Sequence, residues 1–290
     1  MELIFSTLIN GLSLGGIYAM IALGYTMVYG IAKLLNFAHG DIIMVGGYMI
    51  YVVMATGNPL LAVAVAVVGC MVLGIFIEKI AYKPLRGASP LAVLITAIGV
   101  SYLLQSLAQI IFGSAPKMVT VFDFGTIRFM GATIQISALV TLAVAALVMV
   151  TLTLFVKYSR LGRAMIAVSE DKDAAQLMGI NVNRIITITF AIGSSLAALA
   201  GLFYLLKAPS VSSTLGAMPG IKAFTAAVIG GIGSIPGAML GGILLGLVES
   251  ISYKITAIAP YTDAIEFSIL ILILLVRPTG FLGKKRREKV

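Results

Sequence analysis

Charge is scarce in this chain: Asp, Glu, Lys and Arg make up 11% of its 290 residues, less than half the share of an ordinary soluble domain. Together with a mean hydropathy of +1.10, this excludes a free-standing soluble fold. Tryptophan is absent, and cysteine and histidine occur once each, as Cys70 and His39. A lone cysteine excludes an intramolecular disulfide, and one His with one Cys cannot build a metal-ligand cluster. Cys70 sits in an apolar run and reads as packing. No Walker A pattern occurs, since Gly283-Lys284-Lys285 lacks both the Ser/Thr and the upstream glycine. GGIGSIPG has the wrong spacing for a dinucleotide loop. The chain therefore carries no enzyme site, no cofactor is expected on it, and it cannot hydrolyse ATP alone.

What is present is apolar sequence, 60% of the residues, in runs of roughly 20 separated by short polar turns. Helices satisfy their own backbone in lipid, so the pattern predicts an all-α polytopic membrane protein with about eight transmembrane helices in one domain over 1–290. The spans are read as Ile4–Tyr29, Ile42–Ala55, Leu60–Ile80, Leu91–Phe112, Ala138–Val156, Ile185–Leu206, Pro236–Ile258 and Asp263–Val276. The first run lacks a basic flank and continues into a full span, so it reads as a helix and not as a cleaved leader. Gly11 and Gly15, Gly237 and Gly241, and Gly242 and Gly246 have the GxxxG spacing of packing helices. Val119 to Phe124 alternates like a short strand, with Gly125 turning into TIRFMGATIQI as an outer hairpin. Lys207–Lys222 reads as a polar outer segment. From Ala223 to Ser250 the run is interrupted by Gly230, Gly231, Gly233 and Pro236, which predicts two helices meeting at a Gly/Pro break.

The formal charge of +9 does not mark a nucleic-acid face, because Lys and Arg sit beside the ends of apolar segments, where they set orientation. Fifteen of the twenty basic residues fall on one side of this topology, including Lys79, Lys83, Arg86, the loop from Tyr158 to Arg184 and an anchor from Lys284 to Lys289. The positive-inside rule then places that loop and the C-terminus in the cytoplasm and the N-terminus outside.

Polar groups at membrane depth are candidates for function. Asn36, His39 and Asp41 interrupt an apolar stretch. They read either as a helix start, with Asn36 or Gly40 as cap and Asp41 in the first turn, or as the wall of a pathway, together with Gly230, Gly231 and Gly233. Asp41, Glu249 and Glu266 are acids within or beside spans. Ion coupling through Asp41 or Glu249 would make the chain a secondary transporter, whereas more often such acids pair with a neighbour or lie near an interface.

The polar loop itself is patterned. Gly162 to Val168 can form one short helix; Ser169 is placed to cap a second, with acids Glu170, Asp171 and Asp173 in its first turn and Gly179 to end it. Ala174, Ala175, Leu177 and Met178 are read as facing outward, towards the groove of a partner.

Asp173-Ala174-Ala175 followed by Gly179 resembles the coupling motif of ABC-importer permeases, Glu-Ala-Ala with a glycine four residues after the second alanine, with Asp standing for Glu. ALGYTMVYG, NFAHGD, SRLGRAM, DKDAAQLMGIN and KAFTAAVIGGIGSIPGAMLGG follow one another as they do in branched-chain amino acid permeases of the LivH type. This resemblance covers essentially the whole chain. It implies a subunit of the bacterial inner membrane that imports leucine, isoleucine and valine. It also implies a second, LivM-like permease, two cytoplasmic ATPases of LivG and LivF type that hold ATP and Mg, and a periplasmic amino acid-binding protein. Asp173, Ala174, Ala175, Leu177 and Gly179 would dock on an ATPase. Permeases for urea and short amides share NFAHG and the glycine-rich segment, so substrate identity stays open at this level.

Overall fold

The structure, a computed structural model, describes residues 2–129 and 132–283. The basic stretch from Lys284 to Lys289 that reads as an anchor lies outside the described residues. The chain folds into helices α1 (Glu2–Ala32), α2 (His39–Met54), α3 (Pro59–Ile77), α4 (Pro90–Phe112), α5 (Ile136–Tyr158), α6 (Arg160–Glu170), α7 (Lys172–Leu177), α8 (Val182–Lys207), α9 (Ala217–Gly230), α10 (Ile235–Lys254) and α11 (Thr262–Val276). Seven helical stretches are long and apolar enough to cross a membrane: α1, α4, α5, α8 and α10, α3 continued by helical turns to Leu85, and α11 extended back by a helical turn to Ala259. The expected second span is the 16-residue α2, ~24 Å long and short of a ~30 Å hydrocarbon core.

Several helix starts are written in the sequence. Asn58, Ser89 and Ser234 each accept a hydrogen bond from the backbone N–H three residues on, and each is followed by proline at the first or second helical position. Those side chains satisfy N–H groups that the helix leaves without partners, and proline lacks one to satisfy.

α1 is the post around which α5, α8, α9 and α10 pack. The glycine pairs do what their spacing predicts: a Cβ on Gly15 would lie 2.7 Å from the Ile243 Cα of α10, so the two backbones meet directly. On another face α1 meets α8, where Gly24 lies opposite Gly193.

The break between α9 and α10 is built as glycine spacing suggests. Gly231 and Gly233 have φ of +104° and +94°, a backbone region that favours glycine, before Ser234 starts α10. The chain after α11 folds back over the break, where the Phe281 and Leu282 N–H groups donate to the Ile229 and Gly230 carbonyls, each at 2.9 Å. Irregular backbone at this point is thus covered by protein.

Two expectations are corrected here. Val119 to Phe124 is not a strand. Val119 and Val121 are both buried beside Met44, Tyr48 and Val211, so their alternation reports burial, and the Val119 N–H donates to the Pro209 carbonyl at 3.0 Å. The observed hairpin is β2 (Thr126–Phe129) with β3 (Ala132–Gln135), and β1 (Lys117–Met118) pairs antiparallel with β4 (Ser210–Val211). Lys207–Lys222 is likewise not a polar surface segment throughout. Val211 is fully buried, α9 already begins at Ala217, and Lys222 lies inside the bundle. The start of α9 meets the start of α2: a Cβ on Gly40 would come within 2.5 Å of the Gly216 carbonyl and 3.2 Å of the Gly220 Cα. Two short helices therefore begin side by side in the interior. α6 and α7 lie at the end of the bundle that holds the C-terminus of α1, and the β2–β3 hairpin lies at the other.

Candidate functional site

At the loop end, α5 turns into α6 at Ser159, whose hydroxyl accepts from the Gly162 N–H at 2.8 Å. α6 runs through Ser169, whose hydroxyl donates back to the Ile166 carbonyl. The cap of α7 is therefore Asp171 and not Ser169. Asp171 adopts an extended φ of −151°, and its carboxylate accepts from the N–H groups of Asp173 and Ala174, both at 3.0 Å. Of the acids in this run, the one at the corner has the backbone to cap.

Gly179 ends α7 as its spacing suggests. At φ +82° it lets its own N–H donate to Gln176 and the Ile180 N–H donate to Ala175, the paired bonds of a Schellman closure. The two alanines do not both face outward: Ala174 is exposed, whereas Ala175 packs into the core at 4% exposure. Leu177 and Met178, at 89% and 83%, stand out from the bundle. Lys172 explains this orientation, because its Nζ donates to the Ala32 carbonyl at the C-terminus of α1, 2.8 Å away. Burial and the nearby Arg86 hold the Lys172 ammonium below the usual lysine range, with Asp173 opposing the shift. Beside α7 lies a cleft of about 740 Å³ bounded by Lys33, Arg86 and Asn183. Arg86 is fixed there by an ion pair with buried Glu78 and a bond to Asn183, and the Thr187 hydroxyl donates to Glu78 at 2.7 Å.

The interior candidates separate into two groups. Before α2 the capping position belongs to Ala38, with no side-chain cap, so neither Asn36 nor Gly40 fills it. The Asn36 side chain instead accepts from the Tyr82 hydroxyl at 2.8 Å. His39, 1% exposed, packs its ring edge-on against Tyr25 with centroids 4.7 Å apart. Both residues are enclosed by protein in this conformation. Asp41 is also buried, and accepts from the Gln105 amide of α4 at 2.8 Å. Asn36 borders a small pocket with Ala227 and Ile232, next to the glycine break, whereas His39 does not meet Gly233. His39 lies beside Gly24 of α1 and Gly233 beside Gly30, about 9 Å further along the helix.

Sequence reasoning missed Lys222 as an interior charge. Its Nζ lies 2.8 Å from Asp263, 3.0 Å from Glu249 and 3.2 Å from Glu266, and Tyr18 donates to Glu249 at 2.6 Å. The signal was available: two acids within apolar spans require a cation, and a lysine leading straight into AFTAAVIGG is placed to be in the helix. Gln105 was missed as well, as an amide inside an apolar run. Among the described residues no group of three His, Cys, Asp or Glu is placed to hold a metal ion.

The family model described as "Branched-chain amino acid transport system / permease component" matches residues 7–274. The high-affinity branched-chain amino acid transport system permease protein BraD of Pseudomonas aeruginosa is 44% identical, over 98% of this chain and 97% of its own. The corresponding permease proteins LivH of Escherichia coli K12 and Salmonella typhimurium are 43% and 42% identical, each over 97% of this chain and 96% of theirs.

Proposed function

This chain belongs to the family of branched-chain amino acid transport permease components; from that premise we propose that it is the LivH-type subunit of an ATP-driven importer of leucine, isoleucine and valine in a bacterial inner membrane. One observation carries the proposal: an apolar tip, Leu177 and Met178, is held out from the bundle on a helix whose start, end and base are each fixed. Exposed leucine and methionine at a loop tip fit the groove of a partner protein. Asp173, Ala174 and Leu177 make the contact, Ala175 seats the helix on the bundle, and Gly179 closes it.

In this reading α7 lies in the cytoplasm and rests on a LivG- or LivF-like ATPase. A LivM-like permease completes the pathway, and a periplasmic binding protein delivers the amino acid. ATP and Mg belong to the ATPases. When these close on ATP, α7 moves with them; because Lys172 ties it to α1 and Ala175 to the core, the displacement passes to the central post and converts the pathway from inward-open to outward-open.

The test is uptake of labelled leucine into proteoliposomes holding both permeases and both ATPases, with binding protein and ATP supplied on their proper sides. ATP-dependent uptake is expected. Uptake by the permeases alone, driven by an ion gradient, would overturn the importer reading, and competition by urea or acetamide in place of valine would move the substrate to short amides.

A further inference from the structure

α4 carries a stripe that its membrane setting does not explain. Leu103, Leu107 and Ile110 are exposed on one side of the helix, as lipid requires. Ser101, Gln105 and Gln109 recur every fourth residue on another side, a ladder ~12 Å long. A side-chain amide facing hydrocarbon lacks partners and is costly, so this side faces protein or a water-filled path. The ladder is engaged from behind. The Gln105 Nε2 donates to Asp41 at 2.8 Å and lies 3.3 Å from the Ser101 hydroxyl, and the Gln109 Nε2 donates to buried Ser213 at 3.1 Å. In front of it opens a cleft of about 360 Å³, walled by Phe37, Leu94, Ile98 and Tyr102, with Ala217 at its edge.

These features have complementary chemistry. A carboxylate only accepts, so Asp41 fixes which end of the Gln105 amide it meets: the NH2 turns inward and the carbonyl Oε1 is left as the acceptor at the cleft. Phe37, Leu94 and Ile98 supply an apolar wall. Ala217, the first residue of α9, borders the cleft, and its N–H is held by the Thr214 carbonyl at 3.1 Å. An ammonium acceptor beside an apolar wall matches an amino acid with an aliphatic side chain.

We propose that this cleft on α4 is the station at which the importer holds the amino acid in transit, with Gln105 Oε1 accepting from its ammonium and Phe37, Leu94 and Ile98 receiving its side chain. Asp41 positions the amide without touching the substrate. This inference rests on the importer reading.

The test uses the full reconstituted complex on a Cys70→Ala background, which removes the native thiol. A charged thiosulfonate reagent should modify Ser101→Cys and Gln105→Cys and leave Leu103→Cys, on the lipid side, unmodified. Separately, Gln105→Leu should raise the ATP hydrolysed per leucine imported about tenfold, the loss expected from one strong hydrogen bond, while Leu103→Ala leaves that ratio unchanged. A purely structural defect would lower hydrolysis and import together and keep the ratio. An unchanged ratio in Gln105→Leu, or equal reactivity at positions 101 and 103, would overturn the proposal while wild type still imports leucine. A wild-type complex that imports no leucine would overturn the importer reading, and the station with it.

Discussion

Lys222 meets three carboxylates from α10 and α11 inside an apolar bundle, and two of the three, Glu249 and Glu266, are buried. Removing the shared cation leaves both without a counter-charge, whereas removing one carboxylate leaves the cation two partners. Lys222→Met should therefore cost about 3 to 5 kcal/mol, and Glu249→Gln markedly less. Thermal unfolding of the purified permease should rank wild type above Glu249→Gln and Glu249→Gln above Lys222→Met; equal midpoints for Lys222→Met and wild type would remove the cluster from the list of what holds the bundle. Glycines offer a comparison free of charge. Gly40→Ala forces a methyl against the Gly216 carbonyl and must separate α2 from α9, while Gly99→Ala meets nothing within 4 Å. Melting should fall for the first and hold or rise slightly for the second, by the ~0.5 to 1 kcal/mol that alanine gains over glycine in a helix.

At the scale of the element, α7 has six residues and cannot persist on intrinsic propensity, so its boundaries decide its existence. Gly179→Val places a β-branched residue at φ +82°, a strain of about 1 to 2 kcal/mol, and loosens the bonds that close the helix. Leu177→Asp leaves the helix intact but puts charge on its tip. Both should reduce recovery of the ATPases with the purified permease while its level in the membrane is kept; full recovery from both variants would exclude α7 as the contact. Most of α7 is legible in sequence, because Gly179 is placed at the end that needs a positive φ and acids crowd the start. The cap is less legible: Ser169 and Asp171 both suit the role, and the turn of α6 into its last residues decides between them. The inward face of Ala175 is not legible at all. Alanine fits either side, and the choice is made by Lys172 reaching Ala32, 140 positions away in the chain.

Across the whole molecule the same division holds. Hydropathy and glycine spacing suffice for the long helices, the α9–α10 break and the close-packing faces of α1 and α10, because each is a local or periodic property. The inward course of residues 208–216 and the burial of Lys222 depend on partners far along the chain, so a lysine beside a polar stretch reads as surface. With Lys222 buried, the proposed orientation leaves four basic residues of the sequence on its outer side, Lys117, Arg128, Lys207 and Lys254, against fifteen on its inner side. The bias predicts which reagents reach which end of the bundle. On the Cys70→Ala background, Met178→Cys on the α7 tip and Ile127→Cys on the β2–β3 hairpin are both exposed positions. In intact spheroplasts a membrane-impermeant thiol reagent should modify position 127 and spare position 178, and permeabilisation should open 178 to it. The reverse pattern would turn the molecule over, put α7 out of reach of any cytoplasmic ATPase and end the proposed coupling, whatever the permease carries.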